Sequence, residues 1–557
     1  MNPRRFVFPI IDSNKISSET ITRIGLATNA SHSLTKFVTR FNGADHERAK
    51  FTRLMQGFFD YAIGFGLNQK IMINNSIASL NESLAWAANW PEDRKLVRAL
   101  VQTSVALMLE THQLDPERAL ELFEAGYTDQ RELLRKDHPS ANVFGVQVAM
   151  AYYRRDLDRK AFDLFTDVIP TYFVQLGVYP VVVDTYCSLA TRLDEKEAAM
   201  ETLRRAHLQC LKIYGHSMRA YSIERMQGVA ATTFNDGLSA VKLFENAFEQ
   251  AKEKLGPEHS VTALASYDLA SSYFRTRNFE AVIEQLQFHT DFKTSDLDDG
   301  FVARGVQSLR GRSEFYLGQF NIAAKHLRDS TEMMVKKHGA TGRRALTERE
   351  FLVQCLIRAE EHEAAVAEAE KTVRQLGGGL FTAANPHRPT FQRLLAFAHT
   401  RSGNTKKAIE ILLSLEKSER AKFEKSKAEN KQEFANLLFD YGSVLRSDGQ
   451  AESALKYLAE SVALMVEHER PDSAALATAR VYLGGAMLDV DSEEFDKIRS
   501  LLVPSHAILV AQKNDPLNVG WLKIAEESAA ELIRLYTATG ETEKRDQVQK
   551  QIMELAP

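Results

Sequence analysis

Residues 240–281 read AVKLFENAFEQAKEKLGPEHSVTALASYDLASSYFRTRNFEA. Ala240, Leu243, Phe244 and Ala247 recur at the spacing of one helix face. Leu255-Gly256-Pro257 then stops that helix, because a glycine is followed by a residue that cannot continue it. A second apolar face follows in Leu264, Tyr267, Leu269, Ala270, Tyr273 and Phe274. An earlier stretch repeats the order: Ala119, Leu122, Phe123, then Asp137-His138-Pro139, then Ala149 and Tyr152-Tyr153. The offsets agree, since 240 − 119, 259 − 138 and 270 − 149 all equal 121. One register held over helix, loop and helix means that a two-helix unit is being repeated.

Taking the alanine of each second helix as a marker gives Ala119, Ala161, Ala199, Ala240, Ala281, Ala323, Ala365, Ala408 and Ala454. The steps are 42, 38, 41, 41, 42, 42, 43 and 46 residues. A small residue is needed there because the two helices of a hairpin cross closely at that point. Before the markers, Gly318, Gly403 and Gly449 place a glycine where the first helix must end in a left-handed conformation. Asp156-Leu157-Asp158 and Asn235-Asp236-Gly237 use the other turn-forming residues. First helices with matching apolar patterns are expected at 391–399 (Leu394, Leu395, Phe397) and 437–445 (Leu438, Tyr441, Leu445).

The ends are more degenerate. Residues 45–65 read as an amphipathic helix with a partner near 76–90, and Ile77 takes the marker's place. The expected divisions are 1–75, an N-terminal cap with degenerate helices; 76–490, the repeat array; and 491–557, degenerate repeats closed by a polar capping helix near 542–555. Segment 1–44 fits no repeat. Gly377-Gly378-Gly379 opens a long loop to about Pro389, and the helix after Ala408 runs long through a Lys/Glu-rich stretch.

The marker alanine, the Leu-Gly-x-x-His loop and the roughly 42-residue step resemble tetratricopeptide repeats of the kinesin light chain type. The resemblance spans about residues 50–550 and is strongest at Ala119–Ala161 and Ala240–Ala281. It implies an all-α, right-handed superhelical solenoid of stacked antiparallel helix pairs, with a concave groove that holds a peptide or protein segment. In the kinesin light chain pattern two asparagines precede the Leu-Ala of the first helix and face the groove. Here those positions hold Tyr267 and Asp268, and in the earlier copy Val146 and Gln147. The asparagine ladder is absent, and no carboxylate-gripping Lys/Asn/Arg set is recognisable, so no ligand preference carries over. By position, Gln147, Asp268 and Asp440 are the candidate groove residues; solvated or locally bonded roles suit them equally well.

The chain has 557 residues, 44 % of them hydrophobic, with a formal net charge of −4. That supplies core material and gives no electrostatic case for nucleic acid or anionic membrane. The basic pairs Arg154-Arg155, Arg159-Lys160, Lys336-Lys337, Arg343-Arg344 and Lys406-Lys407 are spread along the array among acids, with Arg310 and Arg312 between them. Cys187, Cys210 and Cys355 are far apart among apolar neighbours, the pattern of buried thiols in a reducing compartment. The apolar run Phe6–Ile11 is broken by Pro9 and lacks a cleavage site, and no stretch has the length of a membrane span, so a cytoplasmic protein is expected.

No phosphate loop, HExxH or Gly-x-Ser-x-Gly elbow is present. His138 and His259 occupy equivalent loops, which repeat architecture explains better than a metal. Asp296, Asp298, Asp299 and Gly300 lack the spacing and the terminal glutamate of a calcium loop. The expectation is therefore one continuous array of ten to twelve hairpins with no cofactor, acting as a non-enzymatic protein-interaction scaffold. The alternative is a peptide- or ligand-responsive regulator that switches an effector by changing superhelix shape.

Overall fold

The computed structural model describes residues 70–87, 95–134, 138–287, 301–377, 385–425, 431–490, 492–515, 517 and 521–555, with isolated helical residues between 50 and 61. The expected cap at 1–44, most of the triple-glycine loop and the Asp296–Gly300 turn lie outside them. The described residues form 23 α-helices packed in sequential pairs. Contacts divide the chain into two compact units, Met1–Gly256 and Pro257–Pro557.

In the first unit, α1 (Lys70–Ala87) precedes four hairpins. These are α2 (Lys95–His112) with α3 (Pro116–Leu133), α4 (Pro139–Tyr153) with α5 (Asp158–Leu176), α6 (Pro180–Leu193) with α7 (Lys196–Tyr214), and α8 (Met218–Thr233) with α9 (Gly237–Leu255). The second unit holds seven: α10 (Ser260–Arg275) with α11 (Phe279–Gln287), α12 (Phe301–Tyr316) with α13 (Phe320–His338), and α14 (Arg343–Arg358) with α15 (His362–Gln375). Then come α16 (Arg388–Arg401) with α17 (Thr405–Lys425), α18 (Lys431–Ser447) with α19 (Ala451–Val466), α20 (Ala474–Asp489) with α21 (Phe495–Ala511), and α22 (Trp521–Ala538) with α23 (Thr542–Leu555). The long second helix is α17, at 21 residues, and the polar last helix is α23.

The register is set at the start of each second helix. The amide of Ala119, Ala161, Ala199, Ala240, Ala323, Ala365, Ala408 and Ala454 donates to the carbonyl four residues earlier, just before the helix, and each alanine is buried. In α11 the residue making that bond is Val282, to the Asn278 carbonyl, and it is the one fully buried. The marker there is Val282, not Ala281. The Asn278 side chain, 3.2 Å from the Ala281 amide, occupies the cap that fixes this register.

A second small position faces the marker's helix. Built onto Gly228, Gly311, Gly442 or Gly484, a Cβ would lie within 2.8 Å of Phe244, Leu327, Leu458 or Leu502 respectively. Each of those partners sits four residues after the marker position, at 240, 323, 454 and 498. In α14–α15 the same two positions invert to Val353 and Ala369, both fully buried. The hairpins thus conserve volume across the pair rather than residue type, as close packing requires.

Ten hairpin turns contain one residue with φ between 53° and 82°. Glycine fills it at 318, 403, 449 and 540, and Asp156, Asp194 and Asn235 at three others. Gln113, Arg277 and Glu360 fill the rest and carry a Cβ in the left-handed region. Replacing exposed Glu360 by glycine should raise stability by about 0.5 kcal/mol, the relief of that strain less glycine's extra chain entropy. Replacing Gly403 by glutamate should lower it by about 1 kcal/mol. Urea midpoints check both, and equal shifts of one sign would contradict the assignment.

Candidate interaction face

In the second unit, consecutive first helices from α12 to α22 touch one another, whereas the second helices α13 and α15 do not pack closely. The row of first helices is therefore a continuous surface of its own. Side chains reaching from one repeat to the next define it. Arg312 of α12 pairs with Glu348 of α14, which also accepts hydrogen bonds from Ser308 and Ser330. Arg393 of α16 donates to Asp440 of α18 at 2.6 Å. Arg446 of α18 donates to Asp489 of α20 at 2.6 Å and to Glu531 of α22 at 2.5 Å. That reach over α20 needs Gly485, where a Cβ would lie 2.4 Å from the Arg446 guanidinium. Arg534 closes the network on Asp489 and Glu531, each at 2.7 Å, and Tyr482 donates to Glu527 at 3.0 Å.

The three sequence-derived candidates share one position. Counting back nine residues from the turn residues 156, 277 and 449 gives Gln147, Asp268 and Asp440. Their environments differ. Gln147 is half-buried on α4 in the first unit. Asp268 is buried on α10, at 6 % exposure. Asp440 is half-exposed and held by Arg393. Gln147 stands in the first unit, while Asp268 and Asp440 lie on α10 and α18 of the second.

A neighbouring stripe, ten, six and two residues before the turn, was not singled out from sequence. On α16 it holds Arg393, Phe397 and Arg401 (403 − 10, 403 − 6 and 403 − 2). Phe397 was grouped with Leu394 and Leu395 as core. It is instead 48 % exposed, with the Arg401 guanidinium 5.9 Å from its ring centre, while Leu395 is buried. On α14 the stripe carries half-buried Glu350, whose carboxyl burial pushes above its usual range despite the nearby charges of His387, Arg393 and Arg312. Beside it the Arg312 guanidinium lies 4.8 Å from the Phe351 ring centre. Among the described residues the face thus offers one open aromatic ring, arginines on either side of it, and carboxylates of which Glu348, Asp440, Asp489 and Glu531 are held by arginines.

Members of three of the five basic pairs are held by carboxylates. Arg154 and Arg155 hold Glu110; Arg159 holds Asp163 and Glu195; Lys407 holds Glu370 at 3.2 Å. The three cysteines are buried thiols, and burial pushes Cys187 and Cys355 up to about 12. His259 caps α10, accepting from the Val261 amide at 3.1 Å, and His138 precedes α4 in the equivalent loop. No helix among the described residues is long and apolar enough to cross a membrane.

No protein-family model matches the chain, and neither does any curated protein sequence. Solved structures similar to it are tetratricopeptide-type repeat proteins. A putative kinesin light chain from Podosopora anserina with nearly identical TPR-like repeats is 18 % identical over 38 % of this chain and 93 % of its own, with a TM-score of 0.30. The apo form of RapI is 14 % identical over 74 % and 97 %, with a TM-score of 0.38. The hetero-tetramer Cut9–Hcn1 is 14 % identical over 90 % of both chains, with a TM-score of 0.31. Likeness at this level transfers no ligand or activity to the chain.

Proposed function

We propose that this protein is a non-enzymatic interaction scaffold whose first-helix face in the second unit holds a segment of another protein. The observation that carries this reading is Phe397, a 48 % exposed aromatic ring on the same helix as Arg393, which pairs with Asp440 of the next first helix. Binding energy at such faces concentrates in a few aromatic and arginine side chains that become desolvated, not in area alone. The bound segment would set an apolar side chain on Phe397 and place polar groups along Arg401, Arg393 and Glu350. Its backbone would run across several first helices, so each repeat contributes one or two contacts.

The test is selection of peptides from a random library on the full chain, followed by affinity measurement on variants. Phe397→Ala should weaken the selected peptides about 30-fold, the size of a hot-spot loss of roughly 2 kcal/mol. Phe397 is half exposed, so the variant should fold with unchanged stability. Selected peptides that bind the variant as tightly as the wild type would end this reading.

A further inference from the structure

A cleft of about 520 Å³ opens between the second helices α13 and α15, with α14 as its floor. It exists because α15 presents small side chains, Ala364 and Ala367, toward a helix that does not pack on it. Its apolar wall is Val335, Leu352 and Leu356. Two of its polar groups are left without hydrogen bonds although buried: the Thr331 hydroxyl and Nε of Arg349. Thr331 is 5 % exposed and Arg349 2 %, the largest fully buried side chain described.

Another nitrogen of that guanidinium is bound. Its Nη1 donates to Gln375 Oε1 at 2.6 Å and lies 3.4 Å from both Thr372 Oγ1 and the Ala340 carbonyl. Nε is 3.3 Å from a Glu368 carboxylate oxygen without hydrogen-bonding it, and Lys371 shares that carboxylate at 3.3 Å. Four cations line the cleft (Arg328, Lys336, Arg349, Lys371) against two carboxylates, Glu332 and Glu368. Leaving buried donors unmade costs about 1–3 kcal/mol each, so a native site that keeps two of them calls for an acceptor.

We propose that this cleft binds a small aliphatic carboxylate. Its carboxylate accepts from the Thr331 hydroxyl and Arg349 Nε, and its alkyl chain lies along Val335, Leu352 and Leu356. The volume is that of a small-molecule site. With Arg328 also 3.8 Å from Glu361, the cleft keeps a net positive charge, which selects an acid over an alcohol or an amine of the same length. This site opens between the second helices α13 and α15 and shares with the first-helix face only the helix α14, through Arg349, Leu352 and Leu356.

Octanoate is the probe, titrated calorimetrically into the full chain, with octanol and octylamine as controls. Octanoate should bind saturably at one site and at least tenfold more tightly than either control. Thr331→Val should weaken it tenfold or more while leaving the free protein as stable as before, since the lost hydroxyl has no partner. Ala367→Leu, at an exposed position, should block it to a similar extent. Absence of saturable octanoate binding, octanol binding equally well, or binding untouched by both variants would overturn the proposal.

Discussion

Replacing Gly228 by leucine should destabilise the first unit by about 3 kcal/mol, at the upper end of ordinary overpacking. A Cβ at this glycine alone would stand 2.4 to 2.7 Å from three ring carbons of Phe244. That ring is 6 % exposed and closed in by its neighbours, unlike the end of a surface side chain. Truncating the partner, Phe244→Ala, should by itself cost about 3–5 kcal/mol through the cavity it leaves. The double variant should cost less than the two together, with a coupling of about 1–3 kcal/mol, because the leucine enters the vacated space. Urea denaturation of the four proteins measures this. Strict additivity would show that the two positions do not share the hairpin crossing.

The second large effect depends on pH. Glu224 on α8 is 7 % exposed, accepts one 3.3 Å hydrogen bond from Asn246, and is pushed by burial from 4.5 up to about 7. A raised carboxyl pKa means that the folded protein holds the proton more tightly than the unfolded chain. Its contribution is complete below about pH 4.5 and is lost as pH climbs through about 7. His207, 3.8 Å away, moves oppositely, from 6.5 down to about 4, through burial and the nearby His216 charge. Its contribution is present above about pH 6.5 and is lost as pH falls toward 4. The two slopes cancel between about pH 4.5 and 6.5. Glu224→Gln keeps the shape and removes the ionisation. The variant should be more stable than wild type by up to about 3 kcal/mol at pH 8, with no gain at pH 4.5. A gain of equal size at both values, or a loss at pH 8, would contradict a buried neutral carboxyl.

The hairpin array was legible because it rests on small residues at fixed spacing. Ala119, Ala161 and Ala240 mark buried helix crossings, and glycines at 318, 403 and 449 mark turns that favour a missing Cβ. The register slip at Ala281 arose where two adjacent apolar residues both suited the marker, and only the cap at Asn278 chooses between them. The turns at Gln113, Arg277 and Glu360 carry no local signal, since those residues adopt positive φ only because the hairpin imposes it.

The candidate face was harder to read. Asp440 pairs with Arg393, which lies 47 residues away in the chain, and the pairing needs two first helices brought side by side. Phe397 follows Leu394 and Leu395 in one apolar run, and periodicity alone does not separate the residue that turns outward. Glu224 and Arg349, each eleven residues before its turn residue, are buried ionisable side chains in positions that such residues rarely take, so composition gave no warning of them.

Site-directed photocrosslinking tests the central claim most directly. A photoreactive phenylalanine analogue is placed at position 397 on the first-helix face or, as control, at exposed Lys456 on second helix α19. Each protein is irradiated in extract of its own cell. The account predicts that one or a few defined polypeptides join at 397, none of them at 456, and that excess peptide selected on the wild-type chain suppresses the adducts. Identical adducts at both positions, or adducts at 456 alone, would contradict a partner held on the row of first helices.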